Sequence, residues 1–299
     1  MSSLKEVKSR INSVKSTRKI TSAMKMVASV KLHKVETMAE NMLPYQFKLD
    51  EMLGKFLTSE NSITSPYIEK RPVKKLALIL FSSNTSFCGA FNSNVTKSFL
   101  KEIANYSKLG KENIIIYPIG KKIEYEVKKL GYEPAFDSTF SSEFFQNLMD
   151  KPNAENAILF SKFLQEKFLK KEIDKIRVVF HHFKSTNNHR LISKDFLPIN
   201  IYEFKDFKSK NDSKSNIDYI IEPSNIVMLE RLVDMVLTQK FVTYMVDSSA
   251  SEHSARIMSM QIATDNADEL IDDLGILYNK TRQNIITAEL LDIAGASNL

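Results

Sequence analysis

The feature of this sequence that most limits its fold is a hydrophobic repeat, spaced by three and four residues, along the first 57 residues. Twelve of its sixteen positions are apolar. The positions are Leu4, Val7, Ile11, Val14, Arg18, Thr21, Lys25, Ala28, Leu32, Val35, Ala39, Met42, Gln46, Leu49, Leu53 and Phe56. Such a repeat predicts a long α-helix whose apolar seam packs against another helix in a coiled coil.

The C-terminal segment predicts the partner helix. Ser224 is a suitable cap for a helix that continues to about Ala294, and at 1.5 Å per residue its length would be on the order of 100 Å. Its stripe consists of Ile262, Asn266, Leu270, Leu274, Leu277, Thr281, Asn284, Ala288 and Leu291. We therefore expect both termini to form a long antiparallel two-helix coiled coil that protrudes from a compact domain.

Charge supports this pairing of the two ends. Residues 1–34 contain nine basic residues and one acidic residue, whereas residues 247–299 contain nine acidic and three basic residues. The formal net charge of +6 is therefore concentrated at the N-terminus. Opposite charges on paired helices favour their association, so the basic helix is expected to lie beside the acidic one.

The middle of the chain predicts a Rossmann-like α/β domain with a mostly parallel sheet. Strand-like runs at 75–82, 114–119 and 176–183 alternate with helical runs at 92–109, 121–130 and 153–170. The predicted organisation is an N-terminal coiled-coil helix (1–57), a central α/β domain (72–204), a linker (205–223) and a C-terminal coiled-coil helix (224–299). Residues 205–216 are polar and turn-rich, which is typical of a loop.

Enzymatic chemistry has weak support in the sequence. The segment SSNTSFCGAFNSN at 82–94 follows a strand and opens a helix, but it lacks the glycines of a dinucleotide-binding or phosphate-binding loop. Cys88 is a candidate nucleophile if His181 or His182 approaches it, and a buried structural residue otherwise. No histidine, cysteine and carboxylate set has metal-ligand spacing. We therefore expect no catalytic residue, no metal and no cofactor on this chain.

Composition indicates the cellular compartment of the chain. A single cysteine excludes an internal disulfide framework, and the longest apolar run is far shorter than the roughly 20 residues of a membrane-spanning helix. The first ten residues lack the apolar core of a signal peptide. These features predict a reducing, cytoplasmic setting.

The basic N-terminal helix also permits an alternative function, that of a coiled-coil protein that binds nucleic acid. Two features oppose it. The basic residues alternate with a seam that needs an acidic helix, and no aromatic residue for base stacking precedes Tyr45.

Three motifs resemble the gamma subunit of the bacterial F-type (rotary) ATP synthase. They are VKSTRKITSAMKMVASVKL at 14–32, SFCGAFNSN at 86–94 and SEHSARIMSMQIATDNADELIDDLGILYNKTRQNIITAELLDIAGAS at 251–297. The resemblance covers both termini and is looser over 131–222. It implies a non-catalytic rotor subunit, the central stalk, which couples proton-driven rotation of the c-ring to ATP synthesis, or ATP hydrolysis to proton pumping.

The resemblance also implies partners and contact residues. The expected partners are the alpha and beta subunits of the catalytic ring, the epsilon subunit and the c-ring, and the expected location is the cytoplasmic face of the inner membrane, reached only through the complex. Contacts with the catalytic ring are implied for Met24, Lys25, Arg256, Arg282, Gln283, Thr287 and Glu289. Arg282 is the strongest of these, because a guanidinium can hold a carboxylate by two hydrogen bonds. Met24, Thr287 and Glu289 have packing or helix-surface alternatives.

Overall fold

The structure is a computed structural model and describes residues 3–59, 65–186, 188–200, 222 and 224–296. In chain order its main elements are α1 (Leu4–Ser59), β1 (Leu76–Phe81), α2 (Phe91–Asn105), β2 (Ile114–Ile119), α3 (Lys121–Lys129), α4 (Ser142–Asp150), α5 (Ala154–Leu169), β3 (Lys175–Ser185), β4 (Asn188–Leu197) and α6 (Asn225–Ala296). The chain divides into two compact units: the coil unit, residues 1–30 with 256–299, and the domain unit, residues 31–255.

The coil unit is an antiparallel pair formed by the first part of α1 and the last part of α6. Arg18 Nε lies 2.5 Å from Asp268 Oδ1, and the hydroxyls of Thr21 and Thr264 are 2.8 Å apart. Lys25 donates from its ammonium group to the Gln261 side-chain oxygen. The residue number on α6 falls as the number on α1 rises, which confirms the predicted antiparallel pairing.

The seam predicted for α1 is confirmed along the whole helix. Fifteen of its sixteen positions are buried or half-buried, and the remaining one, Arg18, is exposed. The most buried of them include Val7, Ala28 and Leu53, which are 1–3% exposed. A repeat of three and four residues keeps these positions on one side of the helix, so the helix continues through Pro44 without losing its buried face.

The stripe predicted for α6 is wrong over most of its length. Ile262, Leu270 and Leu277 are 56%, 49% and 42% exposed. Of the predicted stripe only Leu274 is buried, with 8% exposure; the other buried positions are Met260 and Ala267, each 4% exposed, and the three are spaced by seven residues. The error has a physical cause: polar residues such as Thr264 and Gln261 contact α1, and large apolar side chains such as Ile262 lie on other faces of the helix.

The domain unit contains a four-stranded sheet in the order β2-β1-β3-β4. β1 pairs in parallel with β2 and β3, and β4 pairs antiparallel with β3. Every side chain of β1, LALILF, is buried, as expected of a strand with a neighbour on each edge and packing on each face. The mostly parallel sheet of an α/β domain is therefore confirmed.

Two elements of the domain unit were not predicted, α4 and β4. The sequence of β4, NHRLISKDFL, is too polar to be recognised as a strand. Its charges are used in ion pairs with β3: Asp195 lies 2.9 Å from Arg177 and 3.0 Å from Lys175. The helix expected at 92–109 ends earlier, at Asn105. The predicted linker at 205–223 lies almost entirely outside the described residues.

His181 on β3 is a buried histidine with an aromatic neighbour. It is 1% exposed, and its ring stacks on Phe91 with the ring centroids 4.1 Å apart. Neither of its ring nitrogens has a hydrogen-bond partner in the described part of the chain. Burial, together with nearby His189, lowers the pKa of His181 to about 3. The imidazole is therefore neutral in the folded protein at physiological pH.

This burial predicts acid sensitivity. Below about pH 6.5 the unfolded chain binds a proton at His181 that the folded chain does not bind until about pH 3, so the His181 contribution should lower the unfolding free energy by about 1.4 kcal/mol per pH unit in that window. Urea unfolding of the full chain at pH 7.5, 6.5 and 5.5 measures it. His181→Phe should remove this component, while His33→Gln, at an exposed position of α1, should retain it. Equal acid sensitivity of His181→Phe and wild type would contradict the prediction.

Candidate partner-binding surface

An α/β sheet usually binds a ligand at the loop that follows a strand such as β1. In this chain the polar groups of that loop form hydrogen bonds with one another. The Ser83 N–H donates to Asn92 Oδ1 at 3.1 Å. Asn92 Nδ2 donates to Ser83 Oγ at 2.8 Å and to Cys88 Sγ at 3.1 Å. These contacts hold the loop in shape, and they leave its donors poorly placed to bind a phosphate.

A segment of α6 packs against this same edge of the sheet. Ser251 Oγ donates to the His181 carbonyl oxygen at 3.3 Å, and Ser254 Oγ donates to that of Thr186 at 2.6 Å. Ala255 packs with Cys88 and Phe91 in a small buried cluster. The reversal point of the strand order lies between β1 and β3, so the chain's own helix covers the part of an open α/β sheet that most often binds ligands.

The two histidines named as possible bases for Cys88 make other contacts. His181 stacks on Phe91, and His182 Nδ1 lies 2.6 Å from Asp247 Oδ2. Burial raises the pKa of the Asp247 carboxyl, and the contact with His182 acts in the opposite direction. Among the described residues, no group of three or more histidine, cysteine and carboxylate side chains could hold a metal ion. The candidate functional surface is therefore in the coil unit.

The coil unit exposes large apolar side chains although its seam is already filled. On α1, Ile20, Met26, Val27 and Val30 are 59–69% exposed. On α6, Ile276 is 70% exposed, in addition to the three residues of the misassigned stripe. Several large exposed apolar side chains on one helical pair are typical of a protein-binding surface.

The C-terminal part of α6 is exposed on every side. All thirteen side chains from 282 to 294 are exposed. Five of them are large and apolar, with exposures of 40–67%: Ile285, Ile286, Leu290, Leu291 and Ile293. Thr21 lies opposite Thr264, so in the antiparallel pair Leu4, the first residue of α1, lies opposite about residue 281. The part of α6 after residue 281 therefore extends beyond its partner helix.

The structure places the seven predicted contact residues in the coil unit with different exposures. Arg282, Gln283, Thr287 and Glu289 are exposed on the unpaired part of α6, where the Thr287 hydroxyl donates to the Gln283 carbonyl oxygen at 2.9 Å. These four residues are available to a partner, and their contacts stay predictions.

The other three are less accessible. Met24 and Lys25 are half-buried on α1, and the Lys25 ammonium already bonds to Gln261. Arg256 is 8% exposed and makes interactions within the chain. These three residues contribute to the structure of the coil unit, and any contact with a partner would involve a minor part of each side chain.

The exposed apolar residues of the coil unit were missed as candidate contacts. Their signal was present in the sequence, because Ile20, Met26, Val27 and Val30 lie outside the seam repeat of α1. A helix that is apolar on two faces indicates two partners. The first partner here is the other helix of the pair, so the second face needs a different one.

An antiparallel coiled coil, an α/β domain with a covered sheet edge and exposed apolar residues together define a structural subunit of a larger assembly. Comparison with known proteins identifies the assembly. The ATP synthase family profile matches residues 3–299. The ATP synthase gamma chain of Bacteroides fragilis is 52% identical over 297 residues, with 99% of each chain covered. That of Christiangramia forsetii is 37% identical and covers 99% of this chain and 98% of its own length.

Solved structures agree on the fold. A chain of the Euglena gracilis mitochondrial ATP synthase, OSCP/F1/c-ring, matches with a TM-score of 0.61 at 19% identity and covers 99% of this chain and 93% of its own. A chain of the Tetrahymena thermophila mitochondrial ATP synthase central stalk/c-ring matches with a TM-score of 0.52 at 17% identity, over 82% of this chain and 99% of its own. The chain belongs to the ATP synthase gamma-chain family.

Family membership makes this chain a subunit of a membrane-associated complex, and it gives no support to the nucleic-acid alternative. In the part of the chain that the structure describes, no helix is both long and apolar enough to cross a membrane.

The buried position of Cys88 predicts an inert thiol. The side chain is 1% exposed, so its reaction with an aromatic disulfide reagent should be at least about a hundredfold slower in the folded chain than in denaturant. Ser86→Cys in a Cys88→Ser background is the matched control, because residue 86 is exposed on the same loop and its thiol should react at once. Fast reaction of Cys88 in the folded chain would contradict the prediction, because the thiol would then be accessible to the reagent.

Proposed function

We propose that this chain is the rotating central shaft of its ATP synthase. It would couple proton-driven rotation of the c-ring to ATP synthesis, or ATP hydrolysis to proton pumping, through asymmetric contacts with a ring of alpha and beta subunits. The alpha and beta subunits, the epsilon subunit and the c-ring are its proposed partners. The chain itself would hold no cofactor and no catalytic residue, and it would reach the cytoplasmic face of the membrane only through the complex.

The observation that carries this proposal is the outward apolar surface of the coil unit. A coil that served only to pair two helices would bury its apolar residues in the seam and expose polar ones. Here Val27, Val30 and Ile276 are 59–70% exposed, in a region where the seam is already occupied. Burial of such side chains against a partner is favourable by about 25 cal/mol per Å². A closely fitting ring would supply this partner.

The unpaired part of α6 supports the same proposal. A single helix with Ile286, Leu290 and Ile293 exposed gains little from its own packing in water. Enclosure by a ring would bury all of its faces at once. This differs from a flat docking surface, which would cover one face and leave the others in solvent.

The mechanism follows from symmetry. The two helices differ in sequence and charge, so the shaft has no threefold symmetry and contacts chemically identical catalytic subunits differently at any angle. Each contact can shift a subunit between nucleotide-binding states only by the difference in its interaction free energy with those states. Rotation then changes the nucleotide affinities of the subunits in order.

The predicted contacts at Arg282 and Gln283 can be tested by substitution. Arg282→Ala combined with Gln283→Ala should slow ATP turnover of the assembled complex about tenfold, equivalent to about 1.4 kcal/mol, while assembly persists because both residues lie outside the seam. The matched control is Lys129→Ala at the exposed end of α3. Turnover equal to wild type in the double variant would remove both residues from the contact surface.

Rotation itself can be tested with one crosslink. In a Cys88→Ser background, Ile262→Cys places an outward thiol on α6, since Ile262 is 56% exposed. A disulfide between it and a cysteine on the inner surface of the ring should stop ATP hydrolysis, and reduction should restore it. Residue 262 is a better site than Ala288 or Ala294, because local unwinding of the unpaired end of α6 could release a crosslink there.

Met260→Cys is the matched control for this crosslink. Met260 is 4% exposed, so its thiol should form no disulfide with the ring, and ATP hydrolysis should continue under oxidising conditions. Full hydrolysis with the Ile262→Cys crosslink formed quantitatively would reject the shaft proposal.

A further inference from the structure

The outer side of α2 and α3 carries exposed lysines but no exposed carboxylate. Both helices pack on one face of the sheet, where Phe99 of α2 and Val127 of α3 share a core with β1. The acidic residues of the two helices are withdrawn from solvent, since Glu102 and Glu124 are 4% and 8% exposed and Glu126 is half-buried. Four exposed lysines remain on the outer side: Lys97, Lys101, Lys121 and Lys129.

The charges of these four lysines are unbalanced. Lys128, also on α3, lies 2.6 Å from a Glu124 carboxylate oxygen, whereas the other four have no carboxylate at ion-pair distance in the part of the chain that the structure describes. On α5, by contrast, Lys170 lies 3.7 Å from Glu166, one helical turn away. A partner for the surface of α2 and α3 must therefore supply negative charge.

Two large side chains lie among the lysines. Leu100 is 45% exposed beside Lys101, and Tyr125 is 65% exposed between Lys121 and Lys129, four residues from each on the same side of α3. We call the four lysines together with Leu100 and Tyr125 the basic face. Lys121 and Lys129 are about 12 Å apart along the helix, so the lysines do not converge on one point. Such spacing indicates an extended anionic surface and not a single phosphate group.

We propose that the basic face lies against the anionic lipid headgroups of the membrane to which the complex belongs. Anionic headgroups attract lysines within a Debye length, about 8 Å at physiological ionic strength, and tyrosine favours the headgroup level of a bilayer. The complex brings the chain to the membrane, and the basic face adds a contact there. The proposal requires only that the chain belongs to a membrane-associated complex, which its family shows. It does not require rotation.

An acidic protein surface would also match the charge, but the composition of the basic face favours lipid. The centre of a protein interface is depleted of charged residues and enriched in aromatic and apolar anchors. Here lysines outnumber the two large side chains, Leu100 and Tyr125. Lipid headgroups also diffuse, so a contact with them persists when the chain turns.

Fluorescence quenching in the assembled complex tests this contact. In a Cys88→Ser background, Tyr125→Cys carries a dye on the basic face, and the complex is placed in vesicles that contain a nitroxide-labelled headgroup lipid. Quenching should be at least about threefold stronger with about 30% anionic lipid than with zwitterionic lipid alone. It should decrease when KCl rises from about 0.05 M to about 0.5 M, because salt screens exposed charges.

Leu159→Cys is the matched label site. Leu159 is 48% exposed on α5, which packs on the other face of the sheet, where Phe160 contacts Tyr117. A dye at this position should be quenched to the same small extent in anionic and zwitterionic vesicles.

Charge reversal tests the lysines themselves. Lys97→Glu combined with Lys101→Glu should reduce the quenching at residue 125 in anionic vesicles at least about threefold, since each lysine near an anionic membrane strengthens the attraction about fivefold. Lys162→Glu combined with Lys170→Glu changes the net charge equally at exposed positions of α5 and should leave the quenching unchanged. ATP hydrolysis of both double variants in detergent should equal that of wild type, which verifies folding and assembly.

Three results would overturn the inference. They are equal quenching at residue 125 in anionic and zwitterionic vesicles, equal effects of the two double variants, or a dye at residue 125 that neither the labelled lipid nor aqueous iodide can quench. The last result would identify a protein subunit as the occupant of the basic face. Failure of the shaft proposal is separate, because it would appear as continued hydrolysis with the Ile262→Cys crosslink in place and would leave the lipid quenching unchanged.

Discussion

The structure of the coil unit depends on one interaction, the antiparallel packing of α1 against α6 along a seam that combines apolar and polar residues. Met260, Ala267 and Leu274 recur every seven residues on α6, and Val7 and Ala28 are buried on α1. Thr21 and Thr264 form a hydrogen bond across the seam, and Lys25 donates to Gln261. Several other large apolar residues of both helices, such as Val27, Val30 and Ile276, lie outside this seam.

This division explains how much of the coil unit could be predicted. The α1 seam was predictable because the repeat of three and four continues over sixteen positions. On α6 the same method selected Ile262, Leu270 and Leu277, which face outwards. Periodicity identifies an apolar face, but it cannot tell which partner covers that face. When a helix has two partners, the larger side chains can belong to the second, and the sequence of one chain does not identify that second partner.

The domain unit shows a different limit. Its parallel strands were predictable because β1 is buried on both faces and is therefore an uninterrupted apolar run. β4 was not, because its sequence is polar and its one acidic residue, Asp195, pairs with Arg177 on β3, which also pairs with Glu102 on α2. Because the partners of these charges are distant in the sequence, a strand of this kind has the polar composition of a loop. The covering of the sheet edge by Ser251 and Ser254 is equally invisible in the sequence, because small polar residues are common on any helix surface.

The exposed apolar residues also determine how much free energy a shaft can contribute to a change of state in a catalytic subunit. To change a catalytic subunit from 1% to 99% population of one state, contacts must favour that state by about 5.5 kcal/mol. At about 25 cal/mol per Å², this corresponds to a difference of about 220 Å² in buried apolar area between the two states. Two or three side chains such as Val27, Val30 and Ile276 could provide it, because each is more than half exposed. A few exposed apolar side chains on an asymmetric coil are therefore sufficient to give three identical subunits different nucleotide affinities.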